Sequence, residues 1–361
     1  MGIRILHAAD FHMDSPFDAL PPEKAARRRK EQRDMLGRIA QLCRGGGVQL
    51  LLLSGDLLDS ASAYYETKET LSAALGACGA QVFIAPGNHD WYSSASPYAD
   101  AWPENVHIFT SGTIEEVVLP ELGCRVCGAA FRMDHAQSML DGYCAPEDGL
   151  VNIMVLHGDL KEGPYATVHE QAVAASNLDY LALGHVHTFS GFLHAGKTTY
   201  AYPGCPEGRG FDETGEKGVI LGTVERGACD LRFFPLPGRR YLDCRLDLTG
   251  EADAAAALER ILPPDRTGDI CRITLTGEAE KVDAAALAQL MEGRFFHAVL
   301  RDRTRPVRDI WAGLEEDTLR GVFLRKLRAV YDAAQGDDKL KAEAAVRYGL
   351  AAMENGEEPQ I

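Results

Sequence analysis

The run Gln81-Val82-Phe83-Ile84-Ala85-Pro86 is apolar and typical of a strand, and it leads directly into Gly87-Asn88-His89-Asp90. A strand at this position delivers a carboxamide, an imidazole and a carboxylate to one point at its C-terminal end. Chemistry in open α/β sheets takes place at these ends of the strands. The tetrapeptide alone is a weak signal. It gains weight because four other predicted strands end in residues of the same kind.

These four strands are apolar runs that are each followed by polar, ligand-forming residues. The runs are Ile3 to Ala8, Val48 to Leu53, Leu150 to Leu156 and Tyr180 to Leu183. Continuous apolar runs predict strands that are buried on both faces, and helical spacing between the first three strands predicts β-α-β units with right-handed crossovers. The residues that follow them are, in chain order, Asp10 and His12; Asp56; His157; and His185 and His187.

Each of these residues also has an ordinary structural explanation. Asp56 and Asn88 fit turns, an Asp-x-His pair fits capping or hydrogen bonding, and His157 fits a satisfied core histidine. Chance placement of five such sets on successive buried strands is hard to sustain. We therefore interpret the whole set as a metal site.

Two divalent ions about 3.5–4 Å apart need a shared ligand, and a carboxylate is a natural bridge. Asp56 is the candidate for this bridge. Alternation along an extended chain is expected to turn paired residues such as Asp10 and His12 to one side. Mixed nitrogen and oxygen ligands favour Mn²⁺, Fe²⁺ or Zn²⁺ over Mg²⁺ or Ca²⁺. One ion is expected to take Asp10, His12 and His187, and the other Asn88, His157 and His185.

Composition limits the remaining possibilities. The chain has 361 residues, 46% of them hydrophobic, which is enough for two or three domains. It shows neither a secretory signal nor an apolar stretch near the ~18 residues of a membrane span, so we expect a cytoplasmic protein without membrane contact. The nine scattered cysteines are expected to be reduced. The net charge of −16 means that any nucleic-acid site must be local or lent by a partner.

The pattern also suggests three domains, covering residues 1–238, 239–308 and 309–361. Pro235-Leu236-Pro237-Gly238 looks like a boundary, and a strand–helix–strand–helix pattern follows it. The last segment carries a helical apolar stripe. On the first predicted helix, Arg27-Arg28-Arg29-Lys30 is interpreted as a solvated face, with nucleic-acid contact as the alternative.

The order D-x-H, G-D-x-x-D, G-N-H-D, H-G, G-H-x-H resembles the calcineurin-like metallophosphoesterase superfamily. Within it, the stretch from His7 to Phe17 is similar to the SbcD-type DNA repair exonucleases, in particular their YhaO-like branch. Tyr202-Pro203-Gly204, with Arg209 and Lys217-Gly218 after it, is also similar to that group.

This resemblance implies a four-layer αββα metallophosphoesterase sandwich, a small α+β capping domain and a helical C-terminal tail. It implies that His89 is a catalytic imidazole that binds no metal, and that Asp90 orients it; helix capping is the alternative for Asp90. Asp59 stands where some relatives carry a second catalytic histidine. Asp59, Ser15 and Arg209 are the expected substrate contacts. The implied metal ligands are Asp10, His12, Asp56, Asn88, His157, His185 and His187.

The expected function is hydrolysis of phosphodiester bonds in DNA by a hydroxide that is activated by two metal ions. Mn²⁺ is the favoured metal. A small-molecule phosphodiesterase or phosphatase of the same superfamily is the alternative. A DNA-end-binding or scaffold subunit without activity is an alternative of another class. The resemblance further implies that the C-terminal tail binds an SMC-like, SbcC-type ATPase. The apolar stripe of the tail could equally pack on its own domain. Formation of a homodimer is a further alternative.

Overall fold

The structure is a computed structural model that describes residues 2–60, 64–263, 266–280, 282–307 and 309–355. Its first part alternates strands and helices as the apolar runs predict. The elements up to residue 235 are β1 (Ile3–Ala8), α1 (Pro22–Gly46), β2 (Leu50–Leu53), α2 (Tyr65–Gly76), β3 (Gln81–Ile84), a 3-10 turn (Pro97–Ala99), β4 (Val106–Ile108), β5 (Glu115–Leu119), β6 (Cys124–Gly128), β7 (Val151–His157), α3 (Glu170–Ala175), β8 (Tyr180–Gly184), β9 (Leu193–Ala195), β10 (Thr198–Ala201), β11 (Gly218–Glu225) and β12 (Ala228–Pro235).

These strands form two six-stranded sheets, ordered β12-β11-β1-β2-β3-β4 and β5-β6-β7-β8-β10-β9. β1 to β4 run parallel, and so do β6, β7, β8 and β10. The hairpin of β11 and β12 adds to the first sheet in the antiparallel direction. Because β1, β2, β3, β7 and β8 are parallel central strands, their C-terminal loops come together at one end of each sheet.

The strands are buried on both faces because each sheet lies between a second sheet and a layer of helices. Leu50 and Leu52 belong to the core between the sheets, together with Ile153 and Val155 of β7. The alternate residues of β2 face α1 and α2 instead. On the other side, α3 packs on the outer face of the second sheet through Val173. The predicted αββα sandwich is confirmed.

The first helix differs from the prediction in one respect. It begins with proline at its first position and ends at Gly46, and Gly47 caps it with a φ of 60°, the left-handed conformation that glycine adopts without strain. Arg28, which lies in the basic run of this helix, is fully buried. Its guanidinium pairs with Glu207 and donates to the carbonyl of Gly208 at 2.9 Å. The interpretation of the whole run as a solvated face is therefore wrong for Arg28.

The C-terminal part supplies the predicted α+β elements and the helical tail. A three-stranded sheet has the order β13-β14-β16, and β15 pairs with β17. In the tail, Leu324 of α6 packs on Val346 and Leu350 of α7. The elements are β13 (Tyr241–Asp247), α4 (Ala254–Ile261), β14 (Arg266–Thr276), β15 (Glu278–Ala279), α5 (Ala284–Met291), β16 (Phe295–Asp302), β17 (Arg305–Pro306), α6 (Leu319–Ala333) and α7 (Asp337–Asn355).

The chain divides into two compact units. The first comprises Met1–Cys244, Pro263–Ile273 and Met291–Val299, and the second comprises Arg245–Leu262, Thr274–Leu290 and Leu300–Ile361. The predicted domain boundaries after residues 238 and 308 stay a prediction, and the last residues of the predicted tail, 356–361, lie outside the described residues. Among the described residues, no helix combines the length and apolar character that crossing a membrane requires.

Candidate metal centre

The C-terminal ends of β1, β2, β3, β7 and β8, and the loops that follow them, carry the predicted metal ligands; His157 is the last residue of β7. Four of these residues have a positive φ: Asp10 at 56°, His12 at 43°, Asp56 at 50° and His185 at 113°. Such values are uncommon outside glycine and cost energy, and they occur mainly at functional sites. Asp10 and His12 do offer ligand atoms close to each other, as expected. The expected reason, alternation along an extended chain, is wrong because the backbone at both residues lies in the left-handed region.

One group of side chains surrounds His12. Its Nε2 atom lies 3.2 Å from Nε2 of His187 and 3.6 Å from Oδ2 of Asp56. Asp10, His12 and His187 each offer a ligand atom within 4.8 Å of the others. Asp10 is buried, and its carboxylate accepts the backbone N–H of His185 at 3.0 Å.

A second group surrounds His157. Its Nε2 atom lies 2.9 Å from Oδ1 of Asn88, 3.3 Å from Nδ1 of His185 and 3.4 Å from Oδ2 of Asp56. Nδ1 of His185 lies 3.2 Å from the same Asn88 oxygen. The Oδ2 atom of Asp56 is thus near both groups, as a bridging carboxylate requires.

These spacings fit a pair of divalent ions. For bonds of about 2.1 Å, neighbouring ligand atoms lie about 3.0 Å apart around an octahedral ion and about 3.4 Å apart around a tetrahedral one. The nitrogen and oxygen atoms described above lie 2.9–3.6 Å apart. Two close imidazole–imidazole contacts through ring nitrogens are most simply explained as ligands of a shared cation. The residues present therefore fit the metals that the sequence implied.

The protonation states suit this role. Burial lowers the pKa of both His12 and His185 to about 4, so both imidazoles are neutral at pH 7 and able to bind a metal. Burial, followed by the negative charge of Asp56, raises the pKa of Asp10 well above its usual value. Burial would also raise the pKa of Asp56, but His157 and His12 outweigh it and lower that pKa. Bound cations would relieve the repulsion between the two carboxylates.

Hydrogen bonds made by the other ring nitrogen fix the orientation of two of these imidazoles. Nδ1 of His157 donates to the carbonyl of Ser54 at 2.9 Å, which leaves Nε2 for a metal. Nδ1 of His187 donates to Oε1 of Glu213 at 2.7 Å with the same effect. Gly87 is required beside them, because a Cβ atom there would lie 2.2 Å from Oδ1 of Asp56.

His89 lies next to the metal-binding groups but is exposed to solvent. Its backbone N–H donates to Oδ1 of Asp56 at 2.9 Å, and its ring centroid lies 4.8 Å from that of His12. Nδ1 lies 3.3 Å from the carbonyl of Asp59. When Nδ1 carries the proton that this carbonyl accepts, Nε2 is left for another group.

Asp90 does not orient His89 in the expected way. Its carboxylate is taken up by donors from elsewhere, namely the backbone N–H groups of Asp56, Leu57, Leu58 and Gly87 and the hydroxyl of Tyr98. Nor does it cap a helix of the described chain, because its backbone donors belong to the loops after β2 and β3, and Tyr98 donates through its side chain. Asp90 thus holds the backbone on which Asp56 and His89 are placed.

The three expected substrate contacts lie beside His12. Oδ1 of Asp59 lies 3.2 Å from Nδ1 of His12 and accepts the hydroxyl of Ser15 at 3.1 Å. Arg209 reaches the same Asp59 oxygen at 3.1 Å. The structure therefore brings Asp59, Ser15 and Arg209 together, but it joins them mainly to one another.

Sequence reasoning missed several residues of this site. Glu213 is buried against His187, and Tyr98 supplies a hydroxyl to Asp90 at 2.5 Å. The ring of Tyr165 lies 4.9 Å from that of His185, and Oδ2 of Asp159 lies 3.7 Å from Nε2 of His185. Only Asp159 directly follows a strand, two residues after His157 of β7. Glu213, Tyr98 and Tyr165 follow no such pattern, so a single sequence carries little signal for them.

Comparison with known proteins now decides the family. The family model described as calcineurin-like phosphoesterase matches residues 3–189, slightly more than half of the chain. The chain belongs to this family. The predicted membership of the calcineurin-like phosphoesterase superfamily is confirmed. The matched range includes every predicted metal ligand.

Individual relatives add little about the substrate. The chain is 32% identical over 249 residues to a protein of Bacillus subtilis named uncharacterized metallophosphoesterase YhaO, covering 64% of this chain and 60% of that relative. The solved structure of a dimetal phosphatase from Danio rerio is similar at 12% identity with a TM-score of 0.40, covering 63% of this chain and 98% of that one. The SbcD-type specificity stays a prediction.

Proposed function

We propose that this metallophosphoesterase hydrolyses phosphodiester bonds in DNA with two divalent ions, Mn²⁺ being the favoured metal. The observation that carries the proposal is the convergence of the seven predicted ligands, with Asp56 between the two groups, beside the exposed imidazole of His89. The motif order and the stretch from His7 to Phe17 support DNA as the substrate. Divalent ions held there would acidify a water molecule and offset negative charge on the phosphate.

His89 is the proposed catalytic residue of the chain itself. Since its ring is exposed, a polymeric substrate can reach Nε2 without rearrangement of the fold. An imidazole in this place can hold a proton for the leaving oxygen or donate a hydrogen bond to the phosphate. Its backbone N–H bond to Asp56 holds the backbone of His89 beside the metal ligands.

The test is a substrate panel with purified protein and Mn²⁺. We expect degradation of end-labelled linear DNA, and a loss of about 10²–10⁴-fold in rate for His89→Gln with Mn²⁺ binding retained. His194→Gln is the matched control, because His194 is exposed on β9 and contacts Thr199. If His89→Gln cleaves DNA at the wild-type rate, this role of His89 is refuted.

A small-molecule phosphodiesterase or phosphatase is the second candidate. The net charge of −16 favours it, because a strongly acidic protein repels polyanionic DNA. Turnover of bis-p-nitrophenyl phosphate or a cyclic nucleotide without any cleavage of DNA would favour this candidate. Two bound ions with no hydrolysis of any substrate would favour a scaffold.

We also propose that the C-terminal helices bind an SMC-like ATPase. Leu319 and Val330 of α6 and Leu340 of α7 are exposed apolar residues in this helical pair. Leu319→Asp combined with Leu340→Asp should abolish co-purification with a co-expressed ATPase of this class. Val118→Asp, at an exposed apolar residue of β5, is the control. Unchanged binding of the double variant would reject the docking role.

A further inference from the structure

Glu213 is a buried carboxylate that none of the sequence motifs for metal binding includes. Its Oε1 atom accepts Nδ1–H of His187 at 2.7 Å and an N–H of the Arg209 guanidinium at 2.7 Å. Its Oε2 atom accepts the backbone N–H of Arg209 at 2.7 Å. Both oxygens thus accept protein donors, and none of the candidate metal-ligand groups among the described residues includes Glu213.

We propose that Glu213 and Arg209 are a positioning pair for the ion held by Asp10, His12 and His187. This inference rests on the proposed metal centre. Glu213 fixes the proton of His187 on Nδ1, so Nε2 is presented without a proton 3.2 Å from Nε2 of His12. Contacts of this kind typically change metal affinity by about 10–100-fold when they are removed. The other group, around His157, has no contact of this type with Glu213 among the described residues.

The guanidinium of Arg209 contacts side chains of the protein and is not directed at a substrate phosphate. A guanidinium has five N–H donors, and those of Arg209 face acceptors on Glu213, Asp59 and Ser15. One terminal nitrogen also lies 3.3 Å from Nδ1 of His187, whose proton is directed at Glu213. Nε and one terminal nitrogen bind Glu213 at 3.2 and 2.7 Å, and the other terminal nitrogen binds Asp59 at 3.1 Å and reaches Ser15 at 3.4 Å. Arg209 therefore links the loops after β1 and β2 to the segment that carries Glu213. It is a positioning residue and not a substrate contact.

The pair is itself anchored from the first helix. Arg28 pairs with Glu207 and donates to the carbonyl of Gly208, the two residues directly before Arg209. Arg28 and Glu207 are both buried, and charges persist in such places only when they are paired. The carbonyl of His187 also accepts the Lys217 ammonium at 3.0 Å. These contacts hold the segment from residue 207 to residue 217 against His187.

The test is calorimetric titration of metal-free protein with Mn²⁺ alone. Glu213→Gln should weaken one of two Mn²⁺ equivalents by about 10–100-fold and leave the other unchanged. The weakened equivalent should be the one that His187→Ala lacks and His185→Ala retains. Glu216→Gln, a matched change at an exposed residue of the same segment, should bind both equivalents like the wild type.

Arg209→Lys provides an independent variant that keeps the positive charge but loses the forked geometry. It should weaken the same equivalent, and thermal unfolding in EDTA shows whether each variant is folded. If Glu213→Gln does not fold, the result for Arg209→Lys decides. Unchanged Mn²⁺ binding, or equal weakening of both equivalents, would overturn the positioning role. Because no substrate is present, a failure to cleave DNA would refute the proposed function without affecting this result.

Discussion

The central role of Asp90 can be tested by replacing its carboxylate with a carboxamide. In the structure, Oδ1 accepts the backbone N–H groups of Asp56 and Gly87 at 3.2 and 2.7 Å. Oδ2 accepts those of Leu57 and Leu58 at 2.7 and 3.2 Å, together with the hydroxyl of Tyr98. Asp90→Asn keeps only one of these oxygens. At least two buried donors then face an amide NH₂ group that cannot accept them.

The expected cost follows from these contacts. Each buried donor left without an acceptor costs about 1–3 kcal/mol, so the two together cost about 2–6 kcal/mol. The change also removes a carboxylate that repels Asp56, which offsets part of this cost. We expect a net loss of about 3 kcal/mol in the free energy of unfolding. For a unit of this size that corresponds to a fall of about 6–12 °C in Tm.

The measurement is calorimetry of the metal-free protein, followed by Mn²⁺ titration. Tyr98→Phe should show a smaller loss, because it removes only one of the donors. Asp134→Asn, at an exposed loop position, should stay within about 0.5 kcal/mol of the wild type. A variant Asp90→Asn that keeps wild-type stability and metal affinity but loses activity would refute this reasoning. It would favour instead the orienting contact to His89 that the sequence led us to expect.

Three further predictions concern the core, the buried ion pair and the metal. Leu52→Ala, in the core between the sheets, should lower the free energy of unfolding by about 2–5 kcal/mol in calorimetry, and a smaller loss would mean that the sheets close the cavity. Arg28→Met should cost about 3–5 kcal/mol because Glu207 stays buried without a partner, whereas exposed Lys30→Met should have little effect. Mn²⁺ at about 100 times its Kd should raise the free energy of unfolding by about 2.7 kcal/mol per site, and EDTA should reverse the effect. A Tm that does not change when Mn²⁺ is added would contradict the metal centre.

Much of this fold could be predicted because continuous apolar runs in the sequence indicate the buried strands. A run such as Leu50–Leu53 is apolar at every position only when both faces of the strand are covered, so the position and the burial of such a strand can be predicted from the sequence alone. The ends of helices were less certain by a few residues. The sequence between β2 and β3 predicts a helix from about Glu66 to Cys78, whereas α2 spans Tyr65–Gly76, because nothing in the sequence marks its end strongly.

The contacts that could not be predicted join residues far apart in the chain. Arg28 is buried by a partner 179 residues away, and in the sequence it is indistinguishable from its solvated neighbours. Glu213 meets His187 across 26 residues, with no spacing that a helix or strand would impose. The left-handed backbone at Asp10 and His12 was equally hidden, because Asp-x-His is compatible with an extended chain.

The acidic residues around the site show most clearly which roles require the structure to be distinguished. Asp10, Asp56, Asp90 and Glu213 are all buried, and as letters they are interchangeable candidates for a metal ligand. Structure separates them by the donors that each one accepts. The carboxylates of Asp90 and Glu213 accept hydrogen bonds from backbone N–H, hydroxyl, imidazole and guanidinium groups, so groups of the protein itself compensate their charge. Asp56 keeps Oδ2 directed at two imidazoles, and this uncompensated side is what a pair of cations would complete.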